Sequence, residues 1–569
     1  MRSLVNRMVA FLRELRRRRV YGVAAVSAAV AWGVIEVASV VLPTFHAPEW
    51  ILQAVLVLAI VGVVLALSLS WVYKLGPEGI EKDVSVPGPL VAPAPDADPH
   101  RRSVVVLPFA DRAADAEGQY ICDGLTELLI ARLAGIRALS VISRTTAMQY
   151  RDTDKKIPQI AGELNVTHLI EGSVLRIGEQ LQIVVQLIDG RTDRHVWAET
   201  YARSAGDLLN LMNEVAGAVA DEVKVKLTPE EEARLARGET IDPVALDAYL
   251  KGRHHLSRRT AANFEKALVC FHESIDIAPQ FALPYTGIAD IHIMSGLYGF
   301  KPPKESFPLA LANAEKAVEL DPQAAEARTS RASVRMFHDW DFAGAEEDYL
   351  QSLALNPSYA TTHLAYGDLL WVFERGEEAL EHIREAVRLD PLDLGMNMNL
   401  GDFLYFDGRF ADSAEQHRKV LAMNPKFFPS QARLAKALAC AGDGDGAHAA
   451  LDTLKEVAPA PVFLETAAVA HGILGERDEA RTALEDWQKA GAGYLSPLPV
   501  AWAYGALGDR DAAIEWLEKS IDERSPALIV SHVQPAFRSL AGDPRYQKIL
   551  DRIGIPARSA APPRLTDGS

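Results

Sequence analysis

Residues 360–393 read ATTHLAYGDLLWVFERGEEALEHIREAVRLDPLD. Apolar and small residues recur there at three- and four-residue steps in two runs parted by Gly376, the pattern of two short helices joined by a turn. Tyr366 and Gly367 take the seventh and eighth positions of this 34-residue stretch. Ala379, Ile383 and Ala386 take the twentieth, twenty-fourth and twenty-seventh, and Pro391 the thirty-second. Small side chains let the two helices approach, and the proline stops the second helix and opens the next turn. A helix pair this size cannot bury its own apolar face, so it predicts neighbours of the same kind.

The neighbours are present. Pro279, Pro322, Pro357, Pro391, Pro425 and Pro459 are separated by 43, 35, 34, 34 and 34 residues, and most follow Asp or Asn. Gly376, Gly408, Gly442, Gly475 and Gly508 mark the turns inside the pairs. Residues 394–427 repeat the pattern with Leu400, Gly401, Leu404 and Pro425, although Ser413 stands where Ala is expected; residues 428–460 repeat it with Leu434, Ala435, Leu438, Ala447, Leu451 and Pro459. Period and closing proline resemble the tetratricopeptide repeat. About eight repeats are expected over 248–527: 248–281, 282–324, 326–359, 360–393, 394–427, 428–460, 461–493 and 494–527, the second lengthened by LYGFKPPKESFP (297–308). Capping helices are expected over 528–552 and a disordered tail over 553–569.

The resemblance implies a concave groove lined by the first helix of each pair. It puts Asp368, Trp371, Asp402, Tyr405 and Lys436 at ligand-facing positions. An aromatic and acidic groove suits a basic or aromatic-containing peptide, although aromatics at this spacing also serve as packing between helices. No metal site and no cofactor are expected. AGDGDGAH (441–448) lacks the closing Glu of a calcium loop and sits at a repeat turn. His254 and His255 are adjacent, so on a helix they point about 100° apart.

Ahead of the array, SVVVLPF (103–109), LSVIS (139–143), THLIEGSVLRI (167–177), QLQIVVQLID (180–189) and HVWAETYA (195–202) read as strands. Helical periodicity covers Glu117 to Leu133, Pro158 onward and Asp207 to Leu227. This order predicts an α/β module with a mixed sheet over 103–227, followed by a linker over 228–247. Asp123-Gly124 reads as a helix cap, and Arg144 as the partner of a surface carboxylate. Five blocks, Val106 to Phe109, Asp123 to Glu127, Val141 to Arg144, Leu169 to Val174 and Val196 to Tyr201, resemble the TolB-amino-terminal-like (FlgO-like) domain. That resemblance implies an interaction or sensory module, similar to the non-catalytic part of cyclase-associated or CadC-like repeat proteins. Relatives often carry it behind a cyclase or winged-helix domain; neither is expected here, with only 19 residues ahead of the first apolar run.

Residues 1–19 hold seven Arg and one Glu, net +6, against −17 for all 569 residues. Residues 20–42 carry a single charge, Glu36, and residues 50–73 carry none. Each would reach about 34 Å as a helix, enough to cross a bilayer. The expectation is a two-helix transmembrane hairpin with the hydrogen bond Glu36–Gln53 inside it. A Pro-rich spacer follows over 74–102. The arginine excess puts the N-terminus inside, hence an inner (plasma) membrane protein, N-in/C-in, with its remaining bulk cytoplasmic; a periplasmic bulk is the alternative. The expected fold is thus multidomain: transmembrane hairpin, α/β module with mixed sheet, all-α repeat solenoid.

The acidic balance disfavours nucleic acid as a partner. Cys122, Cys270 and Cys440 are too few and too scattered for a disulfide framework. No nucleophile elbow or phosphate loop accompanies Asp123, Glu127 and Glu171, so no enzyme is expected. Two readings follow: a membrane-anchored scaffold binding proteins through its repeats, or a regulatory subunit of a separately encoded cyclase or kinase. Oligomeric state stays open.

Overall fold

The computed structural model describes residues 73–76, 79–82, 102–112, 118–177, 180–238, 240–490 and 496–555. It divides into two units, Met1–Gly88 and Pro89–Ser569. The described part of the first unit is an antiparallel hairpin of β1 (Tyr73–Gly76) and β2 (Gly79–Lys82).

The second unit opens with β3 (Arg102–Val106), β4 (Ala110–Asp111), α1 (Gly118–Ala134), β5 (Leu139–Val141), α2 (Arg144–Ala147), α3 (Ile157–Leu164), β6 (His168–Ile177), β7 (Gln180–Asp189), β8 (Arg194–Ser204), α4 (Leu208–Glu222) and α5 (Pro229–Leu235). The sheet runs β5-β3-β6-β7-β8, with β4 alongside β6. Strands β5, β3 and β6 are parallel; β6, β7 and β8 are antiparallel. Val104, Val105 and Val106 are wholly buried, as a central parallel strand requires. Along β7 the buried residues alternate, Leu181, Ile183, Val185 and Leu187, giving the sheet one covered face. Gly172 in β6 cannot carry a side chain: a Cβ there would stand 2.5 Å from the Phe109 ring.

Eight helix pairs follow: α6 (Pro243–Leu256) with α7 (Ala261–Ile277), α8 (Ala282–Leu297) with α9 (Pro303–Leu320), α10 (Ala325–Val334) with α11 (Phe342–Leu355), α12 (Ala360–Val372) with α13 (Gly376–Leu389), α14 (Leu394–Phe406) with α15 (Phe410–Met423), α16 (Phe428–Cys440) with α17 (Gly444–Val457), α18 (Ala460–Leu474) with α19 (Arg477–Ala490), and α20 (Pro497–Leu507) with α21 (Arg510–Asp522). Two 3-10 segments, Pro526–Val533 and Pro535–Leu540, and α22 (Pro544–Ile553) end the described chain. Ala379, Ile383 and Ala386 are wholly buried against the partner helix. The extra residues of the second pair form the loop 298–302 and lengthen α9, which absorbs Pro308.

The expected fold class needs correction. The described chain is mostly helical repeats plus a small mixed sheet and the β1–β2 hairpin, and among its described residues no helix is long and apolar enough to cross a membrane. The longest, α9, has 18 residues and carries Lys304, Glu305, Glu315, Lys316 and Glu319, charges that cannot be left in hydrocarbon. The stretches 20–42 and 50–72, with Glu36 and Gln53, lie outside the described residues, and Tyr73 belongs to a strand rather than to a helix end. The inner-membrane location is corrected with the hairpin: no helix among the described residues is long and apolar enough to cross a membrane, so no inner-membrane anchoring is shown.

Two smaller expectations change. Asp123 and Gly124 lie inside α1, not at its cap, and Gly124 is where α1 meets α6, a Cβ there coming within 2.5 Å of Leu250. Much of the stretch 228–247 is helical rather than an extended linker. Thr228 accepts from the Glu231 backbone N–H at 3.2 Å, and Glu231 accepts in turn from the Thr228 N–H at 2.8 Å, a reciprocal cap that starts α5.

Module and array are one body. A single apolar cluster runs from Val104 and Leu125 of the sheet layer into Leu246, Phe271 and Ile291 of the first two pairs. The edge strand β5 is covered by the repeat turns. Ser358 Oγ donates to Leu139 O at 3.3 Å and accepts from Val141 N at 3.3 Å. Ser143 N donates to Leu389 O at 2.8 Å, and Thr146 donates to Asp390 through N (2.9 Å) and Oγ1 (2.7 Å). The Asn-Pro and Asp-Pro turns that punctuate the repeats therefore also protect a sheet edge.

Candidate functional site

The array returns onto itself. Leu528, Ile529, Val533, Phe537 and Leu540 share one apolar cluster with Met336, Leu369, Trp371 and Phe403. His532 Nε2 lies 2.9 Å from Trp371 O, Arg524 Nη1 donates to His338 O at 3.1 Å, and the Arg524 guanidinium stacks 3.9 Å over the Trp340 ring. Trp340 closes a π-helical turn, Arg335–Asp339, in the left-handed region (φ +61°), which exposes its indole to that arginine. First helices pack on one another from α6 to α12 and from α14 to α20, and α12 meets α14 through the Trp371 and Phe403 rings; the face that these first helices share is the inner side of the array.

There the structure brings Asp368 and Asp402 together on α12 and α14. Burial pushes the Asp368 carboxyl up to about 8, and the Asp402 charge adds to it. Asp402 is held by Arg433, whose Nε donates at 2.7 Å, with His417 Nε2 3.9 Å away. Burial lowers His417 to about 4 against the pull of Asp402. Trp371 and Tyr405 are 4% and 9% exposed; Trp371 meets Phe403 and Phe406 edge-on, and Phe406 in turn meets Tyr405. The Cys440 thiol donates to Tyr405 Oη at 3.4 Å, and burial pushes that thiol up to about 12. Lys436 stands apart from this group: its Nζ donates to Glu465 at 2.7 Å and lies 5.6 Å from the Trp502 ring centre. The expected acidic field is therefore muted. Arg433 and Lys436 neutralise Asp402 and Glu465, and protonation neutralises Asp368 below its raised pKa.

Arg433, Glu465 and Trp502 were not among the expected residues. Trp502 could have been: counted from 494 it takes the ninth position of its repeat, the position of Asp368, Asp402 and Lys436 in theirs. The Nε1–H groups of Trp371 and Trp502 are buried with no hydrogen-bond partner among the described residues.

A second polar cluster lies where the α/β module meets the first pairs. Glu127 is paired with Arg253 and, at 3.1 Å, with Arg144. Burial raises its carboxyl, but the two guanidinium groups outweigh that and hold it below its ordinary value. Arg253 also reaches Asp290 (4.0 Å), which accepts from Ser330 Oγ at 2.7 Å; burial pushes Asp290 up to about 6 in spite of Arg253. Asp123 is paired with Arg151 and stands 3.5 Å from His254. His255 shares no carboxylate with His254 among these pairs. Glu171 lies on β6, away from this cluster, its carboxyl raised by burial. Each charge paired here has one of opposite sign within 4.0 Å, which fits a structural joint.

The tetratricopeptide-repeat family model matches residues 500–525. With the helix pairs described above, the array is built of tetratricopeptide-like helical repeats. It is 32% identical over 239 residues to "Putative adenylate cyclase 3" of Rhizobium meliloti (strain 1021), which covers 41% of this chain and 40% of that protein. It is 27% identical over 143 residues to the transcriptional regulator HilA of Salmonella typhimurium, covering 25% of this chain and 26% of that protein. The chain thus spans less than half the length of these curated relatives. Among solved structures, PilF of Pseudomonas aeruginosa aligns at 22% identity with a TM-score of 0.30, covering 38% of this chain and 96% of that one.

Proposed function

We propose that this chain is a scaffold without chemistry of its own, holding partner proteins on the inner, first-helix side of its repeat array. The observation that supports this most is the pair of indole N–H donors, Trp371 and Trp502, which have no hydrogen-bond partner among the described residues. Buried polar groups are ordinarily satisfied, and an extended peptide supplies a row of carbonyl acceptors. Because the charges nearby are already paired, recognition rests on hydrogen bonds and apolar contact more than on net charge. The test is a binding screen of the immobilised full chain against a peptide array, repeated with Trp502→Phe, which keeps the ring bulk and removes the donor. Peptides bound by the parent and lost by the variant support the reading; an unchanged peptide set contradicts it.

The likeness to a protein named as an adenylate cyclase favours a second reading, in which the scaffold regulates a separately encoded cyclase or kinase. In it the α/β module, read from its five blocks as TolB-amino-terminal-like, serves as the docking or sensing element. Incubating the full chain with ATP or GTP and magnesium separates both readings from an enzyme. Neither expects turnover, and cyclic nucleotide formed in proportion to the chain overturns both.

A further inference from the structure

Three metal-ligating side chains converge between the sixth and seventh helix pairs. His448 lies on α17, His471 on the last turn of α18, and Glu476 two residues past the end of α18. The local chain dictates this meeting. Gly475, at φ +82°, ends α18 in the left-handed conformation that only glycine adopts at little cost. That turn sends the Glu476 backbone N–H back to His471 O at 2.9 Å, and Glu476 O then accepts from Ala480 N to start α19. The carboxylate is thereby held against both rings. Glu476 Oε2 lies 3.0 Å from His448 Nε2 and 2.5 Å from His471 Nδ1, and the ring centres are 5.6 Å apart.

We infer that His448, His471 and Glu476 form a binding site for a divalent transition-metal ion, zinc foremost, that pins the sixth repeat to the seventh. All three donor atoms lie within 4.8 Å of one another. A tetrahedral zinc with bonds of about 2.0–2.2 Å needs its donors about 3.3–3.5 Å apart. The present separations, 3.0 and 2.5 Å to the carboxylate and none above 4.8 Å, bracket that spacing, and side-chain rotation adjusts them. The set of two imidazoles and one carboxylate suits zinc better than magnesium or calcium, which favour all-oxygen shells. It leaves one coordination position open to water. Asp445 and Asp452 act electrostatically on His448, and their negative charge favours a cation. Their attraction is unspecific, so selectivity rests on the two imidazoles.

The test uses the full chain, stripped with chelator and titrated with zinc chloride by calorimetry, with the thermal midpoint followed in parallel. One zinc per chain and a raised midpoint are expected. His448→Ala and Glu476→Gln should each weaken binding by about tenfold or more and abolish the midpoint rise. His448 is the most exposed of the three ligands, so its removal leaves the fold in place, which circular dichroism checks. His272→Ala, at an exposed histidine on α7, should bind as the parent does. Zinc binding unchanged in His448→Ala and Glu476→Gln, or no binding by the parent, overturns the inference.

Discussion

Replacing Asp368 by Asn tests whether the inner side of the array holds a carboxyl group in its neutral form. The group sits on α12, and burial together with Asp402 raises its pKa to about 8 from the ordinary 3.8. Each unit corresponds to about 1.4 kcal/mol. Ionising it in the folded chain therefore costs about 6 kcal/mol if the surroundings stay dry, and about 2–4 kcal/mol once partial exposure and water are allowed for. The sign follows from linkage. A carboxyl with a raised folded pKa contributes its full stability below about pH 4. That contribution is lost as the pH rises from 4 to 8, because the unfolded chain ionises freely and the folded chain does not. Asparagine is neutral at every pH. The parent and Asp368→Asn should unfold at similar urea concentrations near pH 4, and the variant should be the more stable by about 2–4 kcal/mol at pH 8.5. Urea unfolding followed by circular dichroism and tryptophan fluorescence across that range measures the difference. A difference independent of pH, or a variant less stable than the parent at pH 8.5, would refute the reasoning.

Four further outcomes are expected. Phe537→Ala opens a cavity in the contact that closes the array, where Phe537 is 3% exposed against Tyr546; a loss of about 3–5 kcal/mol in unfolding free energy is expected, with faster proteolysis after residue 525. Thr146→Val removes the Oγ1 donation to buried Asp390 and the acceptor of the Leu392 N–H, while the backbone N–H of residue 146 still donates to Asp390, and should cost about 1–3 kcal/mol. Hydrogen exchange should then rise over 139–146, and unchanged protection there would sink the idea that repeat turns hold the sheet edge. Gly162→Ala, on α3 with open space around it, should stabilise by about 0.5–1 kcal/mol, whereas Gly124→Leu must clash with Leu250 and lower the thermal midpoint.

The 34-residue spacing of prolines and the glycines between them made the helix pairs legible, because both residue types act on the backbone locally. The strands from His168 to Ser204 were legible through β-branched runs and turn signals. The closure of the array was not, since it joins Trp371 to His532 across 161 residues of chain and no local pattern encodes that meeting. Asp390 illustrates the same limit: its Asp-Pro turn was visible, but its bonds to Thr146 were not, because the partner lies 244 residues away. Asp123-Gly124 was mistaken for a cap because an Asp-Gly pair more often ends an element than sits inside one. There, contact with α6 requires the missing side chain. At the candidate site, the repeat resemblance put Asp368, Trp371, Asp402, Tyr405 and Lys436 on the first helices. It could not reveal that Arg433 and Glu465 would neutralise their charges. Glu476 gave no signal either, since only the left-handed turn at Gly475 brings it to the two histidines.

The central claim, that partners bind the inner side of a closed repeat array, is tested most directly by crosslinking the full chain to its captured partner and mapping the linked residues. Crosslinks should fall on the first helices α12, α14, α16 and α18, and Lys436→Glu, which breaks the Lys436–Glu465 pair and sets two like charges side by side, should remove them. Crosslinks confined to the outer helices, or unchanged in Lys436→Glu, would contradict the account.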